Sequence, residues 1–178
     1  GAAPSDWDAW MEAGMLTAAV TATLSVLVLF LLATRLTSRR RAFLVASAYA
    51  FGTLTWGVAG QALWQHAPAM LALTTALLAL HDRRLVLAGS ALALMVASRP
   101  STPIMALFLL PLVGRALRDW GRLIVGALPV GLALLAYNLY VFGAPLRTGY
   151  TTDGSSGAGL FGGSLVEGLG GLLVSPGR

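Results

Sequence analysis

The chain of 178 residues contains no cysteine and no lysine. The first absence excludes disulfides and thiolate metal sites, and the second removes the lysine of a nucleotide-binding P-loop. Histidine occurs only at His66 and His81, which leaves no histidine cluster to hold zinc. There is no GxSxG elbow and no heptad seam. Charge is scarce: 11% of the residues are charged, against about 25% in a typical soluble domain. What the chain has instead is apolar surface, with 57% hydrophobic residues and a mean hydropathy of +0.77. That balance predicts a polytopic membrane protein.

All twelve basic residues are arginine, giving a net charge of +5 and an isoelectric point near 10.7. Such a charge alone would suit nucleic acid, but the positions of the arginines argue for no nucleic acid and for a membrane. A hydrocarbon core about 30 Å thick needs roughly 20 apolar residues per helix, and six apolar windows occur. They run over Met15 to Thr34, Ala42 to Gly60, Ala62 to His81, Leu85 to Ser98, Thr102 to Gly114 and Leu123 to Phe142. Arg35 and Arg39 to Arg41 fall in the first loop, Arg83 and Arg84 in the third, and Arg115, Arg118 and Arg122 in the fifth. Short cytoplasmic loops keep arginine. The opposite side holds only Arg99, Arg147 and Arg178, with five of the seven acids: Asp6, Asp8, Glu12, Asp153 and Glu167. Merging the fourth and fifth windows would send the loop of Arg115 to Arg122 outward, so six spans fit better than five. The expected fold is therefore all-α, a polytopic transmembrane bundle of about six helices over residues 1–142. A Gly-rich exported segment over 143–178 follows it.

Gly1 is not an initiator methionine, and "PSDWDAWMEAG" lacks the basic region and cleavage site of a signal peptide. The sequence is accordingly expected to be a piece of a longer membrane protein. Within the tail, "GAGLFG" (Gly157 to Gly162) fits GxGxxG, but it follows a span and a polar loop rather than a strand. With nine glycines in residues 154–178, the match is expected by chance. Small residues four apart, Ala48 with Gly52 and Thr53 with Gly57, suit close helix packing in lipid.

Polar groups near a bilayer face a cavity or a partner, and three stretches on the exported side carry them. In "ALWQHAPAM", Gln65 and His66 open the third helix beside Trp64. They form either a capped helix start with an aromatic anchor or a site where His66 bonds a substrate or its phosphate. In "ASRPSTP", Arg99 lies between helices of about 14 residues, roughly 21 Å at the helical rise and too short to cross upright. It either snorkels to headgroups or grips a phosphate with its guanidinium fork. In "YNLYVFGAPLRTGYTTDG", Arg147, Tyr150 and Asp153 form either a sugar-lining cluster or an ordinary interfacial loop.

Taken in order, "ALWQHAP", "SRP", "YNLYVFGAPLRTGY" and "GLGGLLVSPGR" resemble the polar punctuation of bacterial membrane glycosyltransferases of the GT-C superfamily. The similarity is to the group called glycosyltransferase family 39 or dolichyl-phosphate-mannose protein mannosyltransferase-like. The resemblance implies a multi-pass enzyme of the bacterial plasma (inner) membrane, part of the cell envelope machinery. It would move a sugar from a polyprenyl-phosphate donor to an acceptor on the exported face, with the donor and membrane lipids as partners. It also implies a catalytic carboxylate in the first exported loop, upstream of most of this chain. Asp6 and Asp8 are the only carboxylates near that position, and the piece is expected to be inactive alone. Where related enzymes often carry an acid before the Ala-Pro of the corresponding helix, His66 stands here. The implied substrate-binding set is His66, Gln65, Arg99, Arg147, Tyr150 and Asp153. No cofactor is required, and a divalent metal stays open. The rival expectation is a non-catalytic membrane protein: a transporter half, a lipid-binding protein or a scaffold subunit.

Overall fold

A computed structural model describes residues 4–60, 65–99 and 102–148, with side chains described from residue 7 onward. The described residues are all-helical, with no strand. The α-helices are α1 (Pro4–Leu36), α2 (Arg39–Phe51), α3 (His66–His81), α4 (Leu85–Ser98), α5 (Pro103–Leu109) and α6 (Leu117–Phe142). A π-helical turn covers Thr55–Ala59, and a 3-10 turn covers Leu110–Val113. By their internal contacts the residues fall into two compact units, Gly1–Gly131 and Leu132–Arg178.

The six apolar windows each give rise to helix, with revealing differences at their ends. The first and sixth extend further toward the N-terminus, to Pro4 and Leu117. The second does not run through to Gly60 as one helix. It stops at Phe51, the Gly52 N–H closes on Ala48 O at 2.7 Å, and the chain resumes as the π turn. The third begins at His66, and the fifth tightens to 3-10 geometry at Leu110, directly before Pro111. Two helices, Trp7–Leu36 within α1 and α6, are long and apolar enough to cross a membrane.

Alternation of small and large residues shapes unit 1. On α1, Ala18, Ala22, Ser25 and Leu32 are buried at spacings of four, three and seven, which keep them on one stripe of a 3.6-residue helix, and Ala33 next to Leu32 is buried as well. That stripe packs on α2 and α3. Threonines elsewhere on α1 do not interrupt the helix, because Thr17, Thr21 and Thr23 donate their hydroxyls to the carbonyls four residues earlier at 2.6–2.7 Å. Next, α3 packs along α4 through Ala72, Ala76, Ala79, Ala88 and Ala91, with Leu80, Leu92 and Met95 filling the space between. Where α4 crosses α6, backbone meets backbone. A methyl group on Gly89 would overlap the Leu123 carbonyl, and one on Gly126 would overlap the Val86 carbonyl. Ser90 Oγ donates to Gly126 O at 2.7 Å across the same crossing.

Three turns meet at one end of unit 1. Arg35 pairs with Asp82 at 3.6 Å, joining the turn after α1 to the turn after α3. Arg83 joins that turn to the one before α6: its guanidinium donates to Val113 O at 2.7 Å and to Asp119 Oδ2 at 2.5 Å. Arg83 has φ 58, an uncommon left-handed backbone for a non-glycine residue. Its N–H reaches Leu80 O at 3.2 Å, and the Arg84 N–H reaches Ala79 O at 2.8 Å. This pair of bonds is the Schellman closure of a helix. The side-chain clasp keeps arginine in a place that glycine usually takes.

In the second unit, α6 ends at Phe142. Asn138, buried, donates to Pro145 O at 3.1 Å and so folds the following turn back on the helix.

Candidate functional site

At the end of unit 1 opposite the arginine-rich turns, α3 begins and α4 ends. Two antiparallel helices joined by the short turn at 82–84 must bring the start of one beside the finish of the other. That topology sets His66 against Arg99, 33 positions later. Arg99 Nη1 lies 3.0 Å from His66 Nδ1. A guanidinium has only donors, so Nδ1 accepts and the imidazole carries its proton on Nε2. Both side chains are half-buried. The remaining N–H groups of Arg99 have no partner among the described residues, nor does His66 Nε2.

The local sequence explains why Arg99 is held there. It precedes Pro100, and a following proline disfavours helical backbone. Arg99 accordingly leaves the helix at φ −147, ψ 125, and α4 stops at Ser98. Thr102, buried, then fastens the turn. Its hydroxyl lies 2.8 Å from Met95 O and 2.7 Å from Arg99 O, and its backbone N–H reaches Arg99 O at 3.1 Å. Pro103 follows as the first residue of α5, where its lack of an N–H costs nothing. On the other side His66 is the first residue of α3 and Pro68 the third, again among the positions whose N–H has no helical partner. Gln65 makes no side-chain cap on α3.

An apolar groove of about 600 Å³ runs between α1 and α2 and ends under the π turn. Val26, Leu27 and Phe30 line it from α1, Phe43 and Phe51 from α2, and Trp56 from the π turn. Gly60, at its upper end, is five positions before Gln65. The π turn also packs on α3. The groove and the His66–Arg99 pair thus both belong to unit 1, and neither His66 nor Arg99 is among the residues that line the groove. Its width follows from small residues on the facing helices, Ala19 and Ala22 opposite Ala46 and Ala50.

Of the residues singled out from sequence, His66 and Arg99 come together, and Gln65 directly precedes His66 at the start of α3. Asp8 is exposed near the start of α1. Asp6 falls in the first turns of α1, outside the residues whose side chains are described. Arg147, exposed, belongs to the second unit, where its N–H closes a turn on Ala144 O at 3.2 Å. Tyr150, Asp153, the GAGLFG stretch and the Gly-rich tail lie outside the described residues, as does Trp64. Among the described residues, no three His, Asp or Glu side chains gather as metal ligands. Sequence reasoning missed Thr102, although a threonine directly before a proline that starts a helix is a recognisable cue. Compared with family models, curated proteins and solved structures, the chain matches none.

Proposed function

We propose that the chain is a multi-pass protein of a bacterial plasma membrane and part of a glycosyltransferase that uses a polyprenyl-phosphate sugar at the exported face. The observation that carries this reading is the His66–Arg99 pair, which unit 1 holds together with an apolar groove between α1 and α2. A lipid-linked sugar phosphate offers a long apolar chain, an anion and a sugar in that order, and the groove and pair match the first two. Membrane embedding is supported by the surface of the long helices. Only 17% of the most apolar window of α1 and 11% of that of α6 are buried within the protein. A helix in the core of a soluble domain would be covered by its neighbours.

In the proposed reaction an acceptor hydroxyl attacks the anomeric carbon of the donor. The bond from that carbon to the phosphate oxygen breaks, and the phosphate leaves with the electron pair. A carboxylate takes the acceptor proton; Asp6 and Asp8 are the candidates within this chain. Arg99, whose other N–H groups have no partner among the described residues, and the Nε2–H of His66 stabilise the departing phosphate. The same pair would serve a lipid-binding subunit that performs no transfer, because anion recognition needs no base.

The test supplies membranes containing the full-length protein with a radiolabelled polyprenyl-phosphate sugar. A charge-assisted hydrogen bond is worth about 1.5–3 kcal/mol. Arg99→Ala is therefore expected to lower transfer by about 10- to 100-fold at matched expression, with His66→Ala lowering it less. Unchanged transfer in both variants would overturn the site. Donor binding without any transfer would favour the non-catalytic reading.

A further inference from the structure

The arginine-rich end of unit 1 holds nine of the twelve arginines in or beside its three turns, with two carboxylates among them. Both carboxylates are engaged, Asp82 with Arg35 and Asp119 with Arg83. Arg84 makes no side-chain hydrogen bond or ion pair among the described residues. Arg122 reaches Asp119 only at 4.0 Å, on a carboxylate that Arg83 already holds at 2.5 Å. Arg83, Arg84 and Arg122 line a shallow recess of about 490 Å³, whose other wall is the first turns of α4. Val86 and Leu87 in that wall are each nearly half exposed. The glycine crossing of α4 and α6, fixed by Ser90 on Gly126, is what brings Arg84, directly before α4, and Arg122, on α6, to a common space.

We propose that this recess binds the phosphate of an anionic phospholipid, with Arg84 and Arg122 on the phosphate and Val86 and Leu87 along the first carbons of the acyl chains. Guanidinium groups are weakly hydrated and fork onto phosphate oxygens, and basic pockets between membrane helices suit anionic headgroups. A free phosphate would satisfy the two arginines and leave the apolar wall bare; an amphiphile covers both. Arg83 stays in its clasp and forms the back of the recess. A lipid held in this way bridges α4 and α6 from outside and reinforces their crossing. The inference rests on the membrane reading but not on glycosyl transfer.

The experiment reconstitutes the full chain in vesicles of phosphatidylcholine alone, or of phosphatidylcholine with an equal amount of phosphatidylglycerol. Lipid retained after detergent extraction is then read by native mass spectrometry. Wild type is expected to retain phosphatidylglycerol over phosphatidylcholine. Arg84→Gln, which removes a side chain with no hydrogen bond or ion pair among the described residues, should lower that retention several-fold, and Arg84→Gln with Arg122→Gln by about tenfold or more. Arg39→Gln with Arg40→Gln removes equal charge outside the recess and should leave retention unchanged. Equal loss in both double variants, or no loss in Arg84→Gln, overturns the site. Displacement of the lipid by inorganic phosphate at millimolar concentration would reassign the recess to the free ion and overturn the lipid. If the chain fails to float with pure phosphatidylcholine vesicles, the membrane reading itself falls and the proposal with it. Flotation with no lipid preference removes the proposal alone.

Discussion

Arg99 is fixed from two directions. Pro100 takes its backbone out of the helix, and Thr102 returns a hydroxyl to its carbonyl, so the guanidinium has little freedom except along its own side chain. Thr102 touches neither the groove nor His66, which makes it a positioning residue. Thr102→Val keeps the volume and β-branch but leaves the carbonyls of Met95 and Arg99 without their side-chain donor. One buried hydrogen bond of this kind is worth about 1 kcal/mol. The variant should weaken donor binding by about fivefold while helical content stays unchanged, and Thr102→Ser, which restores the hydroxyl, should recover most of the loss. Equal binding by the valine and wild-type proteins in a titration with labelled donor would show that Pro100 alone holds Arg99. Arg83 obeys the same logic at the other end of the helices. A residue in left-handed backbone is tolerated because its side chain reaches Val113 and Asp119.

Among the helices, the crossing of α4 and α6 has the least room. Gly89 faces the Leu123 carbonyl and Gly126 faces the Val86 carbonyl, so the two glycines serve one close approach from opposite sides. Gly89→Ala should force the helices apart and cost roughly 2 kcal/mol or more, within the range of overpacking changes. Once they are apart, the second methyl meets little resistance. Gly89→Ala with Gly126→Ala should therefore cost much less than the sum of the two single changes. Thermal unfolding of the three variants in detergent checks this, and strict additivity would mean that the two contacts are independent. This crossing was not legible in the sequence, because nothing local says which glycine on α4 meets which on α6. The boundaries of α4 were legible to the residue, because Arg83 and Arg84 precede it and the Arg99-Pro100 step follows. The second window misled: its apolar run is continuous through Gly52, yet the helix ends at Phe51, with the Gly52 N–H making the last helical bond to Ala48 O and the Gly52 backbone at φ −91, ψ 0. His66 and Arg99 were each legible as polar interruptions in apolar sequence. Their bond depends on the antiparallel packing of α3 on α4, a tertiary fact that spacing along the chain cannot encode.

Across the whole molecule, the arginine count and the fold address one question from different sides. The sequence assigns loops one, three and five to the arginine-rich side. In unit 1, ion pairs from Arg35 to Asp82 and from Arg83 to Asp119 draw those three turns to one end. An inserted chain with that end inward would keep its arginines on the side that retains them and present the His66–Arg99 pair outward. The absence of cysteine makes this orientation directly measurable, since any introduced thiol is unique. Ser38→Cys and Ala116→Cys report on the arginine-rich end, and Thr53→Cys, at the end of α2, reports on the other; all three sites lie outside the α-helices. In intact cells a membrane-impermeant maleimide should label the Thr53→Cys protein and spare the other two until the membrane is permeabilised. Labelling in the reverse order would put the His66–Arg99 pair on the cytoplasmic side, out of reach of a sugar donor displayed outside, and would remove the exported-face enzyme. Labelling of all three alike in intact cells would mean that the arginine-rich turns do not share one membrane face. The long helices α1 and α6 would then have to bury their apolar surface, Leu24, Leu27, Ile124 and Leu128 included, against protein rather than lipid.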